Sequence, residues 1–184
     1  MHSMDLSPNK SWTLFLDRDG VINERLIDDY VKSPDEFRFL EGVPAAIASL
    51  SNIFGRIVIV TNQQGIGKRL MRLDDLTIVH DLMISEIENV GGRIDKIYHC
   101  PHLESDHCSC RKPETGMALL AQKDFPEIDF NKSVIVGDGI HDMEFGKVLQ
   151  MYTMFISQNT INNSLIDLQF SSLKAFAEML DVRC

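Results

Sequence analysis

Residues 12–20 read WTLFLDRDG, an apolar run that stops abruptly at two carboxylates, Asp17 and Asp19. Such a short uncharged run with polar residues beyond it reads as a buried strand over residues 12–16. The same pattern recurs along the chain. Residues 57–60 are IVIV, β-branched throughout as suits a strand covered on both faces, and Thr61-Asn62 follows them. Residues 94–98, 133–136 and 152–156 are further strands by this reading, and the second of these stops at Gly137-Asp138. Helical spacing fills the intervals. Val43, Ile47 and Leu50 mark a helix over residues 43–53, and Leu76, Val79, His80, Met83 and Ile87 stripe another over 73–90, which Gly91-Gly92 ends. Residues 115–123, 142–149 and 173–180 complete the set. Strands alternating with helices predict a parallel sheet covered on both sides, a three-layer α/β/α fold. No internal repeat or low-complexity linker divides residues 1–184, which read as one domain.

Composition narrows the possible roles. The 184 residues are 44% hydrophobic, ordinary for a globular chain, with no apolar window of the roughly 18 residues a membrane span requires. Residues 1–10 are polar and lack the apolar core of a signal peptide, so the expectation is a cytoplasmic monomer that does not engage a membrane. A net charge of -9 argues against a broad nucleic-acid surface but not against a small anionic metabolite in a locally positive pocket. One basic cluster, Lys68-Arg69 with Arg72, follows a glycine-rich turn; it reads as a solvated helix start that is also able to steer a phosphate.

The polar residues that follow the strands carry the chemistry. In open parallel sheets ligands bind beyond the carboxyl ends of the strands, so Asp17, Asp19, Thr61, Asn62 and Asp138 converge there despite their distance in sequence. Residues two apart in extended chain face one side, so Asp17 and Asp19 can share a site, and a divalent cation would relieve their repulsion. Magnesium, with its preference for oxygen ligands, suits one or two carboxylates plus a substrate phosphate. The first carboxylate is then a candidate nucleophile at phosphorus, and the second a candidate general acid and base. Thr61-Asn62 offers a hydroxyl, an amide and backbone N–H groups to a phosphate, and Gly65 and Gly67 let the backbone approach closely. Lys112, in a Cys-Arg-Lys-Pro run, is able to neutralise charge growing on a transferring phosphoryl group. Asp138 and Asp142 bracket a short loop, the first placed as a metal ligand.

Three of the four cysteines, Cys100, Cys108 and Cys110, fall within eleven residues, which in a cytosolic chain suggests metal ligation before disulfides. With His102 they supply the four ligands of a closed, structural zinc tetrahedron. His99 and His107 are alternative ligands, though His102 has the better spacing. Cys184 reads as incidental.

Together LFLDRDGVIN (14–23), VIVTNQ (58–63), RKP (111–113) and VIVGDGIHD (134–142) resemble, motif by motif and in order, the haloacid dehalogenase superfamily of phosphatases, over residues 12 to 160. The resemblance implies that Asp17 is the nucleophile and Asp19 the general acid and base. It implies that Thr61 holds the transferring phosphate, Lys112 stabilises its charge, and Asp17, the backbone carbonyl of Asp19 and Asp138 ligate Mg2+. Asp142 would support these groups from behind, and no large lid domain is expected. The cysteine segment resembles the branch that acts on heptose 1,7-bisphosphate or histidinol phosphate, in which a zinc loop, residues 99–111 here, leads into Arg-Lys-Pro. Asn62 and Arg111 are then expected to bind substrate.

Residues 30–43 and 91–102 look closer to the heptose group, which serves the making of nucleotide-activated heptose; the compact loop between His102 and Cys108 looks closer to the histidinol group. Gly139 stands where the heptose enzymes often have lysine. A phospho-ligand binding or signalling protein on the same fold is the contrasting reading, and the retained second acid, Asp19, speaks against it.

Overall fold

The computed structural model describes residues 6–182; Cys184 and residues 1–5 of the polar N-terminal stretch lie outside them. Strands β1 (Thr13–Leu16), β2 (Arg56–Asn62), β3 (Lys96–Cys100), β4 (Ser133–Gly137), β5 (Tyr152–Ile156) and β6 (Leu168–Phe170) form one sheet in the order β3-β2-β1-β4-β5-β6. Every pairing is parallel, and Leu14 of β1 lies between Ile57 on β2 and Val134 on β4. Strand side chains alternate between faces, so β1 feeds two cores at once. Leu14 and Leu16 pack with Ile47, Leu50, Val79, Met83 and Phe176, which come from α1 (Val43–Ile53), α2 (Leu73–Asn89) and α5 (Leu173–Asp181). Phe15 packs on the other side with Val58, Ile135, Met117 and Phe145, the last two from α3 (Gly116–Asp124) and α4 (Ile140–Val148). The expected three-layer arrangement is present, with helices on both faces. Among the described residues no helix is long and apolar enough to cross a membrane.

The topology fixes where a ligand can sit. The chain runs β1, β2, β3 toward one edge and then returns to place β4 against the free side of β1. A crevice opens at such a reversal, outside the carboxyl ends of the two strands. Asp17 follows β1 and Asp138 follows β4, and Asp17 N–H donates to Val136 O at 2.9 Å, locking the two strand ends together.

Some boundaries depart from the sequence pattern. β3 occupies Lys96–Cys100 rather than residues 94–98, so the first cysteine ends a strand instead of opening a loop. α4 starts at Ile140, two residues earlier than its apolar spacing suggests, because the Asp142 carboxylate accepts from Gly139 N at 3.0 Å and caps it.

The sequence pattern does not predict β6, whose three residues are only half-buried. It is secured just upstream by Asp167, whose carboxylate accepts from Thr153 N (2.9 Å) and Thr153 Oγ1 (3.0 Å) and pairs with Lys147. This gives the polar stretch before β6 a structural role. Asp167→Ala should lower unfolding free energy by about 1–3 kcal/mol, since it strips the acceptor from a buried strand N–H. Urea denaturation reads this directly; a change below about 0.5 kcal/mol would mean that strand pairing alone holds the edge.

Candidate active site

A cavity of about 910 Å³ opens over the carboxyl ends of β1 and β2. Asp17, Asp19, Thr61, Asn62, Arg111 and Lys112 all line it, together with Arg25, Tyr30, Lys68 and His141. Its size falls in the range of small-ligand pockets.

At its floor lies a buried ion triad. Lys112 Nζ is 2.9 Å from Asp17 Oδ1 and 2.6 Å from Asp142 Oδ1, and all three side chains are almost wholly out of solvent. Burial pushes the Asp17 carboxyl up; Lys112 opposes this and favours the ionised form, while Asp142 adds to the rise. Burial also works against the Lys112 ammonium, but Asp142 and Asp17 outweigh it and hold its pKa above the usual lysine range. Lys112 therefore remains a cation pointed at the Asp17 carboxylate.

Asp19 has a different environment. Arg18, itself completely buried, donates through Nη2 to Asp19 Oδ1 at 2.8 Å and Oδ2 at 2.9 Å. Asn23 Nδ2 donates to Oδ1 at 2.9 Å, and Gln63 Nε2 donates to Oδ2 at 2.8 Å. Burial alone would raise the Asp19 carboxyl, but the Arg18 charge and these hydrogen bonds hold it below its usual range. Under the guanidinium, Arg18 Nη1 lies 3.2 Å from His80 Nε2. Burial, with Arg18 and His99 nearby, drops His80 to about 3, so its ring stays neutral beside the cation. Gln63 also reaches Thr61 Oγ1 at 2.9 Å, tying the two strand ends into one network.

The sequence reading missed Arg18, Asn23, Gln63 and His80. The one available signal is an arginine between two carboxylates at a strand end; His80, by its spacing, falls in the apolar stripe of α2.

Asp138, just past the end of β4, lies against Gly20 and Arg25, near enough to feel the Asp17 charge, and is not among the residues lining the cavity. Burial and the Asp17 charge raise it to about 7, with Arg25 opposing. Gly20 makes this approach possible: at φ +88°, it has no side chain where a Cβ would lie 1.9 Å from Asp138 Oδ2. Arg25 Nη2 reaches Asp138 Oδ1 at 2.8 Å and the Asp19 backbone carbonyl at 3.3 Å. A protein cation thus bridges two of the three groups expected to hold Mg2+, and the donor set is all oxygen. The residues present fit a hard divalent cation.

Asn62, on the cavity wall, also grips the neighbouring loop: its Oδ1 accepts from Lys112 N at 3.0 Å and its Nδ2 donates to Lys112 O at 3.2 Å. The nearby Arg111 guanidinium has a buried Nη1 with no partner among the described residues. Lys68 lies over the Tyr30 ring at 5.3 Å, on the cavity wall, whereas Arg72 stands at the start of α2, 83% exposed.

The cysteine segment closes on itself. Cys100, His102, Cys108 and Cys110 each turn a ligand atom inward, all within 4.8 Å of one another, with Cys100 Sγ 2.8 Å from Cys110 Sγ and His102 Nδ1 3.2 Å from it. Neither His99 nor His107 belongs to this group. Although what burial it has opposes the shift, Cys108 is lowered to about 6 by the backbone N–H of Arg111 and the neighbouring thiols, which favours the thiolate a metal needs. Three thiols and an imidazole fit zinc.

Comparison with known proteins gives the lineage. The profile of the family described as polynucleotide kinase 3 phosphatase matches residues 14–181. A D-glycero-alpha-D-manno-heptose-1,7-bisphosphate 7-phosphatase of Campylobacter jejuni is 36% identical over 165 residues, 90% of this chain and 93% of that one. The enzyme of that name from Mycobacterium bovis is 40% identical over 72% of this chain and 70% of its own. Among solved structures, the D,D-heptose 1,7-bisphosphate phosphatase of B. bronchiseptica, complexed with magnesium and phosphate, superposes with a TM-score of 0.83 at 30% identity, over 94% of this chain and 99% of that one. The chain belongs to the haloacid dehalogenase superfamily of phosphatases, within the polynucleotide kinase 3 phosphatase family.

Proposed function

We propose that this chain is a magnesium-dependent phosphomonoester hydrolase that works through a phospho-aspartate on Asp17 and removes the 7-phosphate of D-glycero-D-manno-heptose 1,7-bisphosphate. The observation that carries the mechanism is the Asp17 carboxylate held 2.9 Å from the buried Lys112 ammonium at the floor of the cavity. In the first step an Asp17 oxygen forms a bond to phosphorus while the P–O bond to the sugar breaks, and Asp19 gives its proton to the leaving oxygen. In the second, water attacks the phosphoryl group, Asp19 takes its proton, and inorganic phosphate leaves Asp17 free. Arg18, Asn23 and Gln63 favour the ionised Asp19 that the second step uses; a dianionic phosphate beside it raises its proton affinity for the first. Thr61 and Lys112 hold and neutralise the phosphoryl oxygens, and Asn62 contributes by fixing the Lys112 backbone.

Mg2+ bound by Asp17, the Asp19 carbonyl and Asp138 would supply further positive charge against the phosphoryl group. Zinc on Cys100, His102, Cys108 and Cys110 would have a structural part only, holding Arg111 and Lys112 toward the cavity. Arg111, with its buried unpartnered Nη1, supplies a fork for the distal part of the substrate, as a second phosphate requires. The heptose assignment rests on the names of relatives at 36–40% identity. We place the protein in the cytoplasm as a one-domain monomer without nucleic-acid partners, consistent with its charge of -9.

With magnesium, phosphate release from heptose 1,7-bisphosphate should exceed that from histidinol phosphate by about a hundredfold or more in kcat/KM, about 2.7 kcal/mol of discrimination. Asp17→Asn should lower turnover on the order of 10⁴-fold. Preference for histidinol phosphate would reverse the substrate assignment, and Asp17→Asn activity within tenfold of the parent would remove the nucleophile.

Magnesium binding should follow the titration of Asp138. Its folded pKa of about 7 lies above the ordinary 3.8, so its contribution to metal-free stability is present at low pH and lost as pH rises toward and through 7. The cation needs the ionised form and competes with that proton. The rise in Tm on adding Mg2+ should therefore be larger at pH 8 than at pH 6, and the difference should vanish in Asp138→Asn. Equal rises at both pH values in the parent protein would exclude this linkage.

Elemental analysis should find about one zinc per chain, lost in Cys108→Ser together with thermal stability. Folded, active protein free of zinc would dismiss the structural metal.

A further inference from the structure

Gly139, between Asp138 and α4, has φ -112° and ψ 148°, extended backbone that any residue adopts. Conformation therefore gives no reason for a glycine here. Space does: a Cβ at residue 139 would lie 2.2 Å from Cε1 and 2.5 Å from Nδ1 of His141. The imidazole folds back from the first turn of α4 over the place where a side chain at 139 would stand.

That position puts the ring on the wall of the cavity with Asp17 and Lys112. A ring nitrogen, an Asp17 oxygen and an Asp142 oxygen all lie within 4.8 Å of one another. His141 Nε2 is 3.5 Å from Asp142 Oδ2, too long for a firm hydrogen bond, and Asp142 is already engaged by Lys112 and by Gly139 N. The ring is 35% exposed, so a ligand can reach it. A ring nitrogen within 4.8 Å of an Asp17 oxygen, without a firm protein partner, can serve as a donor to the oxygens of a phosphoryl group over Asp17.

We propose that His141 is a substrate-binding residue, donating a ring N–H to a phosphoryl oxygen of the phosphate monoester, and that Gly139 leaves the ring room to do so. The proposal rests on the reading of Asp17 as the group over which that phosphate sits. It differs from the expectations for Thr61, Lys112 and Arg111, because it makes two adjacent features of the 137–142 loop one device. A purely structural His141 would predict no effect on ligand affinity and no coupling to residue 139.

The test is calorimetric binding of inorganic phosphate in the presence of Mg2+, which needs no turnover. His141→Ala should weaken phosphate about five- to tenfold, and His141→Gln, which retains a donor, should recover part of the loss. Gly139→Ala, which pushes the ring aside, should weaken phosphate to a similar degree. In the His141→Ala background the same Gly139→Ala change should cost less than twofold, because the ring it displaces is gone. Affinity within twofold of the parent in His141→Ala, or an equal Gly139→Ala loss in both backgrounds, overturns the proposal. Turnover surviving in Asp17→Asn while His141→Ala still loses phosphate would overturn the phospho-aspartate and leave the His141 contact standing.

Discussion

Everything in the cavity is arranged around one ammonium held between two carboxylates. Lys112, Asp17 and Asp142 are removed from water together, a grouping that contributes little to folding, since well-packed apolar residues of similar size often serve a core as well or better. What it does provide is position. Lys112 cannot leave without exposing two adjacent buried carboxylates to each other, so the cation is fixed before any phosphate arrives and needs no reorganisation during reaction. Adding Asp138 and the Arg25 paired with it, the group carries three negative charges and two positive when ionised, so it still favours a further cation.

The carboxylate pair at the end of β1 is less symmetrical than its spacing suggests. Asp17 belongs to Lys112, and Asp19 belongs to Arg18, with a neutral His80 beneath the guanidinium. The backbone places both acids on one cavity, while the side chains around them give each its own electrostatic setting. Two carboxylates in different settings respond differently to a charge brought between them.

Much of this was legible because strand ends advertise themselves. An apolar run that stops at Asp, Thr or Gly-Asp marks the edge where a parallel sheet binds ligands, and β1, β2 and β4 all do so. The gathering of Cys100, His102, Cys108 and Cys110 was legible from ligand chemistry and spacing. Arg18 was not, because arginine is nearly always solvated and only the tertiary contact with α2 reveals it as buried. The grip of Asn62 on the Lys112 backbone was not legible for a related reason: an amide at a strand end fits a substrate or a backbone equally well, and only the loop that folds over it shows the second contact. β6 escaped because three half-buried residues have no periodicity to read; Asp167 secures that edge through hydrogen bonds rather than through an apolar pattern.

The strand order also bears on how the chain is made. β1, whose Leu14, Phe15 and Leu16 are fully buried, takes β2 on one side early in synthesis, but its other side is completed by β4, far downstream. A ribosome-bound chain that has released only the first three strands presents an open edge along a fully apolar strand, with unpaired backbone groups ready to accept any strand that passes. The interval before residue 133 emerges is therefore the time of greatest danger from neighbouring nascent chains.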